Sequence, residues 1–257
     1  MAEHATRPVA LITGAAKRIG SHVASTLAEH GWDIALHCRR SRNEAAATLA
    51  RLEQIGGRHC LVQADLADET QTRGLFAEAV ERLGRVDAVV NNAAVFDYDD
   101  AASFNTSHLL AHMLPNLAAP VLLAQALHAH LEARGGDAKG VVVNLLDQKL
   151  GNPNPDFLSY TLSKSALKAA TTLLAQALAP RVRVVGVSPG LTLPSHLQTE
   201  QAFAAMHRLA PLEQSSSPED IARGVLFLLQ SPAITGIDLA VDGGQHLVGM
   251  KRDFSMM

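Results

Sequence analysis

What most constrains this chain is an alternation that runs from one end to the other. Short runs rich in β-branched residues alternate with longer Ala- and Leu-rich stretches of helical periodicity. Strands are predicted at Pro8–Thr13, Asp33–Cys38, Arg58–Ala64, Val86–Asn91, Gly140–Leu146, Arg181–Ser188 and Ile237–Val241. Helices are predicted at Ile19–His30, Asn43–Ile55, Glu69–Leu83, Thr106–Leu131, Phe157–Leu178 and Pro218–Gln230. Runs such as Val141–Val143 are apolar at successive positions, which suits strands buried on both faces. Strands separated by helical crossovers pair in parallel and carry helices on both sides of the sheet.

The expected fold is α/β: one Rossmann-like, doubly wound domain over residues 1–257, with a seven-stranded parallel sheet flanked by helices. No Pro/Ser-rich linker, shift in composition or internal repeat divides the 257 residues. A hydrophobic share of 47% and a net charge of −3 exclude a disordered chain and give no general attraction to nucleic acid or anionic membranes. Two cysteines, Cys38 and Cys60, cannot build a disulfide framework and fit a reducing, cytoplasmic setting. Every apolar run is shorter than the roughly 18 residues of a membrane span. The run Val9–Ala16 after Arg7 is too short for a signal peptide and is closed by Lys17 and Arg18.

Two stretches are long and irregular: Ala93–Asn105, and about 189–217 with room for a short helix. Both follow strands, which places them at the carboxyl edge of the sheet, where ligands bind in such folds.

The first strand runs directly into Thr13-Gly14-Ala15-Ala16-Lys17-Arg18-Ile19-Gly20, and a helix follows. Small residues at such a turn let backbone amides approach a diphosphate at the positive end of the helix dipole. Farther on stand Asn91-Asn92-Ala93-Ala94, Asn116, Tyr160-x-x-x-Lys164, Pro189-Gly190 and Val241-Asp242-Gly243-Gly244. Together these resemble the short-chain dehydrogenase/reductase family over nearly the whole chain. Arg18 replaces the middle glycine of the family's fingerprint, and Arg-Ile-Gly there resembles the pteridine reductase branch. The resemblance assigns the cofactor to Gly14, Lys17, Arg18, Ile19, Gly20, Asn92, Ala93, Ala94, Lys164, Pro189, Gly190 and Thr192.

The second strand ends His37-Cys38-Arg39-Arg40-Ser41, and no acid stands between Ile34 and Asn43. Guanidinium forks and a hydroxyl suit a ribose 2′-phosphate, so His37, Arg39, Arg40 and Ser41 point to NADPH rather than NADH. Asp65-Leu66 resembles the pair that holds the adenine ring; Asp65 serves equally well as a helix N-cap.

Tyr160 and Lys164, four apart, share one helix face. A phenol can protonate an atom left negative by hydride addition, and a nearby ammonium eases its ionisation. Thirteen residues before Tyr160 the family has a Ser; here stands Asp147, as in the resembling pteridine reductases. A carboxylate there keeps the phenol protonated and can accept from a substrate amino group or ring N–H. The resemblance gives Asn116 a water path behind Lys164.

A pterin is flat and needs a stacking partner. With seven Phe, two Tyr and one Trp in the chain, candidates are few. Phe96 matches the resembling enzymes' stacking Phe, ahead of Tyr98 and Phe157. Arg18 and Leu191 complete the substrate set with Phe96, Asp147 and Tyr160. Ala94 departs from the Ser that several pteridine reductases carry there. His108 and His112 are four apart but lack the intervening Glu of the protease motif and any clustered Cys, so no metal is expected. The resulting expectation is a cytoplasmic, homotetrameric, NADPH-dependent reductase of pterin-type substrates such as dihydromonapterin, dihydrobiopterin or dihydrofolate. The alternatives are a carbonyl reductase of the same family and a non-catalytic NADP-binding sensor.

Overall fold

The computed structural model describes residues 7–194 and 200–256. Residues 195–199 of the expected substrate loop lie outside the described residues. Seven strands, β1 (Val9–Ile12), β2 (Asp33–Cys38), β3 (His59–Gln63), β4 (Ala88–Asn91), β5 (Gly140–Leu145), β6 (Val182–Pro189) and β7 (Asp238–Val241), form one sheet. Its order is β3-β2-β1-β4-β5-β6-β7, and every neighbouring pair is parallel. The chain winds outward from β1 in one direction, then returns and starts again at β4. The crevice between the ends of β1 and β4 is the switch point where such sheets bind ligands.

Successive side chains of the central strands feed two cores. Ala10, Ile12, Val90 and Val143 pack with Val23, Leu27, Leu52 and Val225 from the helices α1 (Arg18–Glu29), α2 (Arg42–Ile55) and α8 (Pro218–Gln230). Leu11, Val89 and Val142 pack with Leu75, Leu123, Leu127 and Ala175 from α3 (Glu69–Leu83), α5 (Ala119–Arg134) and α6 (Leu158–Ala177). Each fully buried Leu or Val contributes about 1.5–3 kcal/mol relative to exposure. The helix starts follow local chemistry. Asp68 caps α3 by accepting from Gln71 N, and Ser217 with Asp220 forms a reciprocal capping box on α8.

The stretch Thr106–Leu131 is not one regular helix. It divides into α4 (Thr106–Met113), a π-turn over Leu114–Ala118, and α5. Pro115 lacks the N–H that a regular turn would use, and the wider turn sets Asn116 inward, 1% exposed. Within Thr106–Arg134 an 18-residue window reaches a mean hydropathy of 1.4, so this helical stretch is long and apolar enough to cross a bilayer by length and composition. Three of its leucines, Leu123, Leu127 and Leu131, lie in the core against the sheet. The irregular stretch after β6 holds the short helix α7 (Glu200–His207).

Candidate active site

The carboxyl ends of β1, β4, β5 and β6 converge on one continuous cleft. After β1 the chain turns through Gly14, at φ +64°, and begins α1. A Cβ on Gly14 would come within 3.0 Å of Ala93 Cα, and one on Gly20 within 2.4 Å of the Gly14 carbonyl oxygen. Only glycine permits this close approach of loop to strand end. Arg18 also has a left-handed φ, +55°. A non-glycine residue there carries about 1–3 kcal/mol of strain. Its guanidinium donates to the Pro194 carbonyl at 3.2 and 3.3 Å, joining the glycine loop to the chain after β6.

The loop is fixed from behind. Thr13 Oγ1 accepts from Asn92 N (3.0 Å) and Ala93 N (3.1 Å), and Asn92 Nδ2 donates to the Thr13 and Gly14 carbonyls. His37 Nδ1 accepts from Gly14 N at 3.1 Å while Nε2 donates to the Ala64 carbonyl at 3.1 Å. Burial lowers the pKa of this imidazole, which favours the neutral ring this pattern requires. His37 therefore shapes the loop with both nitrogens engaged. A cavity of about 350 Å³ lies over the loop, with Lys17, Arg39, Asp65 and Leu66 among its walls. The glycine cradle and the Arg39 cation fit an elongated phosphate-bearing cofactor.

A second cavity, about 330 Å³, adjoins the first, and Arg18, Ile19, Asn92 and Ala94 border both. Tyr160, Lys164 and Asp147 meet at its base. Tyr160 Oη donates to Asp147 Oδ2 at 2.7 Å. Asp147 Oδ1 accepts from Lys149 N at 2.8 Å, so the carboxylate also caps the short turn Gln148–Leu150. Lys164 Nζ donates to the Leu145 carbonyl at 2.6 Å. Burial raises the pKa of Asp147 and, with the Asp147 charge, holds that of Tyr160 well above the usual phenol value. Burial pulls Lys164 down to about 8, against the opposing pull of Asp147. A protonated phenol bonded to a carboxylate, with an ammonium on the same helix, is a proton-donating group.

A family model described as Enoyl-(Acyl carrier protein) reductase matches residues 14–246. The chain belongs to the short-chain dehydrogenase/reductase family. Among solved structures, FolM Alternative dihydrofolate reductase 1 from Brucella canis, complexed with NADP, is 40% identical, with a TM-score of 0.87. That match covers 94% of this chain and 95% of the other. Among curated relatives, a putative ketoacyl reductase 2 of granaticin polyketide synthase from Streptomyces violaceoruber is 35% identical over 94% of this chain and 97% of its own. Pteridine reductase 1 from Leishmania tarentolae is 33% identical over 94% and 97%.

Within this short-chain reductase, the predicted residues divide by position. Gly14, Lys17, Arg18, Ile19, Gly20, His37, Arg39, Asp65, Leu66, Asn92, Ala93 and Ala94 border the first cavity. Phe96, Asp147, Tyr160, Lys164, Pro189, Gly190, Leu191 and Thr192 border the second. Arg40 and Ser41 border neither; Arg40 is exposed, and Ser41 precedes α2. Asp65 accepts from Ala67 N and lies 4.0 Å from Arg39. The Thr192 hydroxyl is engaged with the Gly190 carbonyl and Ser216. Asn116 bonds both polar groups of Val95 and donates to Ser163 Oγ at 3.0 Å, tying the loop after β4 to α6 beside Lys164.

Phe96 stacks on Phe157, centroids 4.2 Å apart and 14° between planes, and meets Tyr160 edge-on at 4.7 Å. Phe157 is thus the support of Phe96 rather than a rival for the same role. It takes the left-handed φ of +55° that turns the chain into α6.

Asp97, His108 and His112 place ligand atoms within 4.8 Å of one another. His112 Nε2 already accepts from Asp97 N, and Nδ1 donates to the His108 carbonyl, so its ring nitrogens hold the loop rather than a cation. Sequence reasoning missed Asp253, Phe254 and Ser255, which close the second cavity from the far end of the chain. No motif marks them; their only signal is a polar–aromatic cluster after the last strand.

Proposed function

We propose that this chain is an NADPH-dependent reductase of dihydropterin-type substrates, such as dihydromonapterin, dihydrobiopterin or dihydrofolate. The observation that carries the reading is the Tyr160–Asp147 hydrogen bond of 2.7 Å in the position where the family usually has a Ser. A serine hydroxyl helps hold a substrate carbonyl. A carboxylate instead accepts N–H groups, which an aminopterin ring offers and a simple ketone lacks. The aromatic wall of Phe96 suits a flat heterocycle. Likeness to proteins named dihydrofolate and pteridine reductases supports the same substrate class.

The cofactor fits this chain through the cradle of Gly14 and Gly20, with Arg39 as the cation for a 2′-phosphate. NADPH supplies the hydride when bound. The chain's own residues manage the proton. Asp147 orients the substrate by accepting from its amino or ring N–H and keeps Tyr160 protonated. Tyr160 donates its proton to the substrate nitrogen left negative. Lys164 stabilises the resulting phenolate by charge. Arg18 borders both cavities and ties the glycine loop to the post-β6 segment through the Pro194 carbonyl. The expected assembly is a homotetramer, which would cover exposed Leu162 and Leu173 on α6; light scattering tests it.

A second reading, reduction of ketones or aldehydes, is favoured by Ala94, which lacks the hydroxyl of several pteridine reductases, and by the ketoacyl reductase relative. Initial rates of NADPH oxidation on dihydropterins and small ketones, measured side by side, separate the two.

A further inference from the structure

Lys149 is 3% exposed, and its ammonium meets three parts of the chain at once. Nζ donates to the Asp156 carbonyl and, at 3.0 Å, to Asp253 Oδ2 in the C-terminal tail. It also lies 5.5 Å from the centroid of Phe157, the ring on which Phe96 stacks. Its backbone N–H fixes Asp147 Oδ1. Asp156 secures the same tail by accepting from Asp253 N (2.8 Å) and Arg252 Nε. Asp253 in turn accepts from Ser255 N and Oγ, which sets the last turn, Phe254–Met256, so that Phe254 and Ser255 border the reaction cavity.

A buried ammonium is retained only where its charge is well compensated, and here the compensation comes from a residue 104 positions away. We infer that Lys149 is a positioning residue that fixes the C-terminal tail as a substrate-selecting wall of the active site. One short turn then sets the acid–phenol pair, the aromatic wall and the tail relative to one another. The cofactor cavity touches none of the tail residues. The tail should therefore govern substrate affinity and leave cofactor affinity unchanged. Phe254 offers an apolar surface and Ser255 a hydroxyl, which suits a flat heterocycle whose substituent carries polar groups.

The inference rests on the reading of this cavity as the substrate site. Its test uses the full chain and the substrate that the wild type reduces fastest among dihydropterins and ketones. Lys149→Met, Lys149→Arg, Phe254→Ala and Ser255→Ala are compared by kcat, KM and NADPH dissociation constant. Lys149→Met and Phe254→Ala are each expected to raise substrate KM at least about tenfold with a smaller change in kcat. NADPH affinity should stay within about twofold, and Lys149→Arg should recover most of the loss. Should Lys149→Met fail to fold, Phe254→Ala and Ser255→Ala decide. Wild-type KM in both tail variants would overturn the inference. Wild-type inactivity on dihydropterins counts against the pterin reading alone, because the wall is then measured on a ketone.

Discussion

The Tyr160 hydroxyl lies 2.7 Å from Oδ2 of Asp147, thirteen positions earlier in the chain, and so joins the first turn of α6 to the segment just after β5. The relation gives the chain its chemical character. A half-buried carboxylate and a buried phenol share one hydrogen bond, while the ammonium of Lys164 is held by the Leu145 carbonyl at the end of β5. Replacing Asp147 by Ser should lower kcat/KM for a dihydropterin by about 10²-fold or more, the loss of an acceptor made for a substrate N–H. NADPH affinity, measured by fluorescence titration, should be unchanged.

Lys164 sets the alkaline side of the pH profile. Burial lowers its pKa from the ordinary value to about 8, so the charged form that stabilises the phenolate is lost as pH rises through that value. The kcat/KM profile should therefore fall above about pH 8. In Lys164→Arg, whose guanidinium stays protonated, any remaining activity should show no such limb.

Asp147 also affects stability. Its pKa is raised by burial, so the carboxyl is best accommodated below its ordinary pKa, and the fold loses stability as pH rises through the raised value. Asp147→Asn removes this cost and keeps an acceptor for Lys149 N. Its melting temperature, compared with wild type from about pH 4 to pH 8, should gain on the wild type as pH rises. Activity should fall in the same variant, an instance of stability exchanged for function.

Cofactor choice should separate two adjacent arginines. Arg39 borders the cofactor cavity and Arg40 does not. Arg39→Asp should raise the KM for NADPH by about 10²-fold and narrow the preference over NADH, because a bidentate cation is replaced by a repelling charge. Arg40→Asp should change it only by the few-fold expected of an exposed charge.

Much of this was legible in the amino-acid order, for physical reasons. Unbroken valine runs such as Val141–Val143 suit a strand covered on both faces, and β5 is that strand. Tyr160 and Lys164 stand one helical turn apart, so local periodicity alone unites them, and the backbone between β5 and α6 is short enough to bring Asp147 to the phenol. The Arg39–Arg40 pair was legible as a cation site, but which guanidinium faces the cleft depends on where β2 ends and α2 begins. The π-turn at Leu114–Ala118 was hidden because its apolar pattern differs little from that of a regular helix. The Lys149–Asp253 contact was hidden because a long-range ion pair leaves no periodic signal at either residue. Arg18 was legible as a departure from a motif; its left-handed backbone and its grip on Pro194 were not.

The most direct measurement is the initial rate of NADPH oxidation by the wild-type chain with 7,8-dihydropterins and with a panel of small ketones under one set of conditions. The expected result is a kcat/KM for the best dihydropterin at least about 10²-fold above that for the best ketone, as a site built to accept N–H groups requires. A higher kcat/KM on a ketone than on every dihydropterin would contradict the assignment of Asp147 as a pterin-recognising carboxylate.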